Sequence, residues 1–306
     1  MQHFRFLTAF LLCTLPLSLA AEEDWNSLPR TQIGAEINQA LESHPDLVYA
    51  TYGEREMKLD LFRPKGVEGK LPAIICIHGG AWWKGERLNH AHIAKALATR
   101  GFVTATISYR LSGELPFPAQ IEDCKAAVRW MRANAETYGI DPDFIGATGS
   151  SAGGHLANLL ATSGDVAELE GDGGNADFSS TIQAAAPMGA QSDLETDRIR
   201  LRSLDPNAAF YPQFLGGTQV EVPETYQLAS PRHHLDANDP PILYLTGELD
   251  DPSTHADEMR LDLEQLGIPT GLHILETAPH PFLTKQKFFD EALDVLDLFF
   301  ATHLKP

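Results

Sequence analysis

From about residue 45 onward, short apolar runs alternate with longer stretches in which apolar residues recur every three or four positions. The short runs read as strands and the longer ones as amphipathic helices, so their alternation predicts an α/β sandwich. After an amphipathic lead-in at 31–42, strands are expected at 47–52 and 58–62, the second alternating as KLDLF like a half-exposed edge. Residues 72–78 are almost continuously apolar, as a buried central strand should be, and the run stops at Gly79-Gly80. A helix at 88–99 closed by Gly101 precedes a strand at 102–109. From Pro118 to Tyr138, the spacing of Ile121, Cys124, Val128 and Met131 makes one apolar helical face; Pro118 suits the first turn and Gly139 the stop. A short strand at 144–148 runs into Ser-Ala-Gly-Gly and a helix at 155–162. Strands at 182–187, 241–246 and 273–276 and helices at 254–266 and 285–303 complete the pattern. The expected fold is a mostly parallel eight-stranded sheet with helices on both faces.

Two stretches break the alternation. Residues 163–180 are rich in glycine and acid but lack the spacing of an EF-hand loop, and they read as a solvated loop. Residues 190–238 have no clear period and contain Pro206, Pro212, Pro223 and Pro231. They read as an excursion over the carboxyl edge of the sheet, either a small lid or a substrate wall.

The first twenty residues carry Arg5, then an apolar run, then Ser18-Leu19-Ala20 ahead of Ala21-Glu22-Glu23-Asp24. That layout predicts a signal peptide cut after Ala20 and a secreted or periplasmic protein, with 21–306 as one domain. The run is short for a membrane anchor, so no stable membrane association is expected after cleavage. Cys13 lies within the run without the small residue that a lipoprotein site needs. With 23 Lys and Arg against 42 Asp and Glu, the formal charge is −19. Such a surface repels phosphate backbones and anionic headgroups, which argues against a nucleic-acid partner. Cys76 sits in an apolar strand and Cys124 on an apolar helical face; both read as buried small hydrophobes, without redox or zinc spacing.

The chemistry centres on Gly149-Ser150-Ser151-Ala152-Gly153, a G-x-S-x-G motif between an apolar strand and a helix. Small neighbours allow the sharp, strained turn that exposes Ser151, and the helix N-terminus favours negative charge nearby. Ser150 is the adjacent alternative nucleophile, expected to point into the sheet. A serine hydroxyl needs a base and an acid to orient that base, in the chain order Ser, acid, His. Asp250, in ILYLTGELDD just past a strand, fits the acid, with Asp251 its alternative. His280, bracketed by Pro279 and Pro281, fits the base. His273 is expected at the wrong edge of the sheet, and His233, His234 and His255 read as surface or lid residues. An oxyanion would need N–H donors, and Gly80, Ala81 and Ala152 are the candidates, with His78 supporting their loop. Trp82 and Trp83 are candidates for an aromatic substrate wall, although one of them is expected in the core. No metal or organic cofactor is called for.

The segments HGGAWWKG, SYRL, FPAQIEDCKAAVRWMRANAETYGIDPDFIGATGSSAGGHLANLLATSGD and NDPPILYLTGELDD, taken together, carry a family resemblance over about residues 45–303. The chain resembles the esterase/lipase family of α/β hydrolases, in the acetylxylan- and feruloyl-esterase-like (BD-FAE-like) branch related to hormone-sensitive-lipase-type carboxylesterases. The resemblance implies an α/β-hydrolase fold and supports Asp250 over Asp251. Ala81 stands at the third glycine of the family's H-G-G-G-W, keeping the N–H and narrowing the space. Thr246-Gly247-Glu248-Leu249-Asp250 stands for H-G-x-x-D and retains the acid. Pro279-His280-Pro281-Phe282 stands for G-H-G-F and retains His280 and Phe282, the latter expected at the acyl pocket. The implied activity is serine ester hydrolysis through an acyl-enzyme, on acetyl or feruloyl-type carbohydrate esters, with a small-molecule or polysaccharide ester as the partner. A general short-chain carboxylesterase, a peptidase or arylformamidase, and a non-catalytic binding relative are the alternatives.

Overall fold

The computed structural model describes residue 31, residues 34–250 and residues 257–305. The predicted signal segment with Cys13, the alternative acid Asp251, and His255 all lie outside the described residues. Strands are β1 (Leu41–Tyr52), β2 (Arg55–Pro64), β3 (Leu71–Ile77), β4 (Val103–Ile107), β5 (Ile140–Ser150), β6 (Ala184–Met188), β7 (Ile242–Gly247) and β8 (Thr270–Leu275). Helices are α1 (Ala35–Ala40), α2 (Ala91–Thr99), α3 (Ala119–Ala133), α4 (Ala135–Tyr138), α5 (Ala152–Thr162), α6 (Asp197–Ser203), α7 (Phe210–Leu215), α8 (Pro223–Leu228), α9 (Asp257–Leu266) and α10 (Gln286–Leu304).

The described strands form one eight-stranded sheet in the order β1-β2-β4-β3-β5-β6-β7-β8. β1 and β2 pair antiparallel, β2 meets β4 antiparallel, and the pairings from β4 through β8 are parallel. The fold is that of an α/β hydrolase, with its switch to parallel strands where the buried apolar runs begin. Alternation along β3 divides the core. Ala73, Ile75 and Ile77 face one apolar cluster, shared with α3, α5, α7 and α9, while Ile74 and Cys76 face another, shared with α2 and α10.

In α10, Phe289, Ala292, Leu293, Leu296, Phe300 and Leu304 repeat at helical spacing and are buried. Burying a side chain such as Phe300 stabilises by about 2–3 kcal/mol. Cys76 and Cys124 are free thiols in the two different clusters, separated by the sheet. Among the described residues no helix is long and apolar enough to cross a membrane.

Two expectations change. The acidic 163–180 segment is not simply solvated: Glu170 receives the fully buried Lys125 ammonium at 2.7 Å and Arg129 at 2.6 Å, while Leu169 and Ser180 are buried. Two cations from α3 therefore pin this loop. Residues 190–238, without period in the sequence, contain α6, α7 and α8, too short for a 3.6-residue repeat to show. Their Ile199, Tyr211, Phe214, Leu215 and Tyr226 join the core cluster. The excursion is thus packed onto the body, and Phe210 and Tyr211 of it line the cleft beside Ser151.

Candidate active site

The turn between β5 and α5 places Ser151 at φ 55°, ψ −120°, immediately before the first residue of α5. That conformation is strained for a residue with a Cβ and is held by its surroundings. Ser151 N–H donates to Met188 O at 2.8 Å, and His155 N–H donates to Ser151 O at 2.9 Å. The approach of strand and helix is so close that a Cβ on Gly149 would lie 2.4 Å from Gly153 O, and one on Gly153 2.1 Å from Ile77 O. The motif's glycines are a packing requirement. α5 starts three residues earlier than its apolar period suggested, which puts the Ala152 N–H at the helix N-terminus.

Ser151 Oγ lies 2.9 Å from His280 Nε2, and His280 Nδ1 lies 2.6 Å from Asp250 Oδ2. Asp250 is largely buried at 12% side-chain exposure, while His280 is open at 46%. The loops carrying them are tied together: Leu249 N–H donates to Ala278 O at 2.9 Å, Glu248 N–H to Leu275 O at 3.0 Å, and Thr277 N–H to Glu248 Oε2 at 2.7 Å. An imidazole so placed can take a proton from the hydroxyl while the carboxylate orients the ring and stabilises its charge.

Beyond β3, Gly80, Ala81 and Trp82 all have positive φ, at 123°, 50° and 61°. A Cβ on Gly80 would lie 2.0 Å from Lys84 O. Among the described residues the N–H groups of Gly80, Ala81 and Ala152 are bonded to no acceptor. SYRL supports this loop. The Tyr109 ring stacks on His78 at 4.3 Å, its hydroxyl donates to His78 O at 3.1 Å, and Ser112 N–H donates to Trp82 O at 2.8 Å. Arg110 is held in turn by buried Asp123 at 2.9 Å. His78 bonds the Gly79 carbonyl through Nδ1 at 2.8 Å, and burial lowers its pKa to about 4, so it stays neutral at pH 7.

A cleft of about 620 Å³ opens over these groups, lined by Ser151, Gly80, Ala81, Ala152 and His280 and by Trp82, Phe210 and Tyr211. A second cleft of about 450 Å³ adjoins it past Ser150 and His280 and includes His90, His92 and Phe282.

The family model described as BD-FAE matches residues 59–262. The chain belongs to the BD-FAE family. Esterase LipQ of Mycobacterium tuberculosis is 34% identical over 237 residues, covering 75% of this chain and 55% of LipQ. The probable carboxylic ester hydrolase LipM of the same organism is 35% identical over 216 residues, covering 67% of this chain and 47% of LipM. The chain thus spans about half the length of these curated relatives. Among solved structures, a truncated form of a carbohydrate esterase from gut microbiota superposes with a TM-score of 0.73 at 28% identity, covering 85% of this chain and 96% of that one. Thermogutta terrifontis esterase 2 with propionate bound superposes with a TM-score of 0.70 at 26% identity, covering 87% and 96%.

In this BD-FAE chain several sequence expectations change place. Ser150 does not point into the sheet: its Oγ lies 3.1 Å from His90 Nε2 and it borders both clefts. Trp82 is 3% exposed and stacked on Phe214 at 4.3 Å, yet it is among the residues that line the cleft. Trp83 is 46% exposed, carries the Lys84 ammonium 5.2 Å from its ring centroid, and borders neither cleft. The two adjacent tryptophans therefore do not form one wall. Phe282 is buried and meets only the second cleft. His273 lies on the surface against Glu291 at 2.8 Å, His233 on the surface against Glu195 at 3.6 Å, and half-buried His234 on Leu228 O at 2.8 Å. The excursion adds Gln191, Arg198, Arg202, Phe210 and Tyr211 to the cleft. The only cue for them in the sequence was the basic run Arg198-Ile199-Arg200-Leu201-Arg202 in an acidic chain.

Proposed function

We propose that this BD-FAE protein is a serine carboxylic-ester hydrolase that works through an acyl-enzyme and removes acetyl or feruloyl-type groups from carbohydrate esters. The observation that carries the reading is the hydrogen-bonded series Ser151, His280, Asp250 on a cleft that Gly80, Ala81 and Ala152 also line. In that reading His280 Nε2 accepts the Ser151 proton as Oγ attacks the ester carbonyl. The N–H groups of Ala152, Gly80 and Ala81 stabilise the oxyanion, a contribution of about 3 kcal/mol for one well-placed donor. His280 then protonates the leaving alcohol, and water activated by the same ring releases the acid and restores Ser151.

The carbohydrate assignment is supported by the similarity to a carbohydrate esterase from gut microbiota and by an export-like N-terminal sequence, which fits a secreted or periplasmic site of action. A general short-chain carboxylesterase is the second reading, favoured by the similarity to Thermogutta terrifontis esterase 2, whose structure binds propionate. The test is acetate release from acetylated xylan by the purified protein, with Ser151→Ala as the blank. Release that disappears in the variant is expected. Turnover of propionate or butyrate aryl esters without acetate release would move the assignment to the second reading, and no labelling of Ser151 by a fluorophosphonate would overturn both.

A further inference from the structure

Ser150 and His90 repeat, one residue earlier in the same turn, the serine–imidazole contact of Ser151 and His280. Ser150 Oγ lies 3.1 Å from His90 Nε2, against 2.9 Å between Ser151 Oγ and His280 Nε2. The two pairs differ in what stands behind the ring. His280 Nδ1 has Asp250 at 2.6 Å, whereas His90 Nδ1 is buried with no carboxylate on it. Burial first, and the neighbouring imidazoles of His92 and His78 second, lower the pKa of His90 to about 3. So weak a base does not take the proton of a serine at neutral pH, and His90 therefore does not make Ser150 a nucleophile. It holds the Ser150 hydroxyl as a neutral hydrogen-bonding group.

Ser150 lines both clefts, and a Cβ on Gly79 would lie 3.4 Å from its Oγ, which puts the hydroxyl beside the loop of Gly80 and Ala81. The first cleft contains Ser151, Ala81 and Ala152; the second contains none of the three. The second runs instead from His280 along Pro281, Phe282, Leu283 and Thr284. That wall is fixed from behind, since Thr31 N–H donates to Thr284 O at 3.0 Å and Thr31 Oγ1 to Leu283 O at 2.8 Å. His280 Nε2 must reach the leaving oxygen of an ester to protonate it, so the group attached to that oxygen extends past His280. No acidic side chain lines the second cleft and Lys84 is its one ammonium, which suits a neutral group. A serine hydroxyl offers one donor and two acceptor sites, and His90 Nε2 takes up one of them. Among the described residues Ser150 Oγ has no further hydrogen-bond partner.

Resting on the esterase reading, we propose that the second cleft receives the leaving alcohol and that Ser150, held by His90, hydrogen-bonds a free hydroxyl on the carbon next to the ester linkage. A substrate hydroxyl both gives and takes a hydrogen bond, so it pairs with whichever site of Ser150 His90 leaves open. The preferred substrates are then partial esters of polyols, partly acylated sugars among them, over esters of simple alcohols. Ser150 sets this specificity, and His90 is a positioning residue.

The test uses two isosteric pairs: 2-hydroxyethyl acetate with propyl acetate for the alcohol side, and methyl 3-hydroxypropanoate with methyl butanoate for the acyl side. The ratio of kcat/KM, hydroxylated to plain, is read within each protein, so a general loss of activity cancels. Comparing proteins removes the difference in intrinsic reactivity. On the alcohol pair the ratio should be roughly fivefold higher in the wild type than in Ser150→Ala, the contribution of one neutral hydrogen bond. His90→Leu releases the hydroxyl to turn and should lower the ratio part of the way, with the acyl-pair ratio unchanged in both variants. A His90→Leu ratio equal to that of the wild type overturns the part assigned to His90. An alcohol-pair ratio equal in the wild type and Ser150→Ala, or a shift at least as large on the acyl pair, overturns the subsite, and Ser151-dependent turnover of propyl acetate then leaves the esterase reading standing. No Ser151-dependent turnover of any of the four esters overturns both.

Discussion

His280 Nε2 lies 2.9 Å from Ser151 Oγ although 129 positions separate the two residues along the chain. The contact exists because β5 and the segment after β8 both end at the carboxyl edge of a parallel sheet, where their following loops converge. Ser151→Ala removes the hydroxyl without disturbing the helix that follows. Ester hydrolysis should fall by about 10⁴-fold or more with the melting temperature little changed, measured by steady-state kinetics and calorimetry.

Asp250→Asn keeps the shape of the side chain but removes the charge that faces His280 Nδ1 at 2.6 Å. The imidazole loses its orientation and the partner that stabilises its protonated form. A fall of kcat by roughly 10³–10⁴-fold with KM nearly constant is expected. A loss confined to KM would mean that Asp250 serves binding and not proton transfer.

Gly153→Ala would bring a Cβ to 2.1 Å from Ile77 O and 2.5 Å from His78 O, both backbone atoms. The helix must then back away from β3, taking the Ala152 N–H and Ser151 with it. Loss of about 100-fold in kcat, together with a lower melting temperature, is the expected result. An active and equally stable variant would show that the close approach is dispensable.

Glu170 and Lys125 should respond unequally to truncation. Glu170→Ala leaves the Lys125 ammonium, with no exposed surface, deprived of its carboxylate, at a cost of about 3 kcal/mol or more. Lys125→Met replaces the charge with an apolar side chain of similar length and leaves Glu170 on Arg129 and Ser180. Urea denaturation should therefore find Glu170→Ala the less stable of the two.

Three buried imidazoles predict an acid limit to stability. Burial lowers the pKa of His78 and His155 to about 4 and that of His90 to about 3, from 6.5 in the open chain. Between those values the unfolded chain binds more protons than the folded one, so stability is complete above pH 6.5 and declines as pH falls toward 4. Each such histidine contributes a slope of up to about 1.4 kcal/mol per pH unit. Asp239 acts in the opposite sense, since burial raises its carboxyl to about 7 and its neutral form favours the fold at lower pH. Denaturation midpoints at pH 7 and pH 5 should show the net loss, and His155→Asn should lessen the difference if the variant remains folded.

Much of the architecture was legible without coordinates, because strand alternation, helical period and the glycine spacing around Ser151 are local consequences of backbone geometry. The apolar run at 72–78 became β3, shifted by one residue toward the N-terminus, while the alternating KLDLF became part of β2, which lies inside the sheet between β1 and β4 with Leu59–Phe62 buried and not at a half-exposed edge. Asp250 and His280 could be named because chain order and loop position restrict the candidates, whereas their distance from Ser151 depends on the sheet as a whole. Four features belonged to long-range packing alone. These are the burial of Trp82 beside an exposed Trp83, the hydrogen bond of Ser150 to the buried His90, the anchoring of an acidic loop by Lys125 and Arg129, and the gathering of Arg198 and Arg202 at the cleft. In each case the deciding partner is far away in the chain or in a helix too short to leave a period. Residue type and spacing determine which elements form and which chemistry is available; only the packed sheet decides which side chains share one cleft, because that is a matter of three-dimensional contact and not of local conformation.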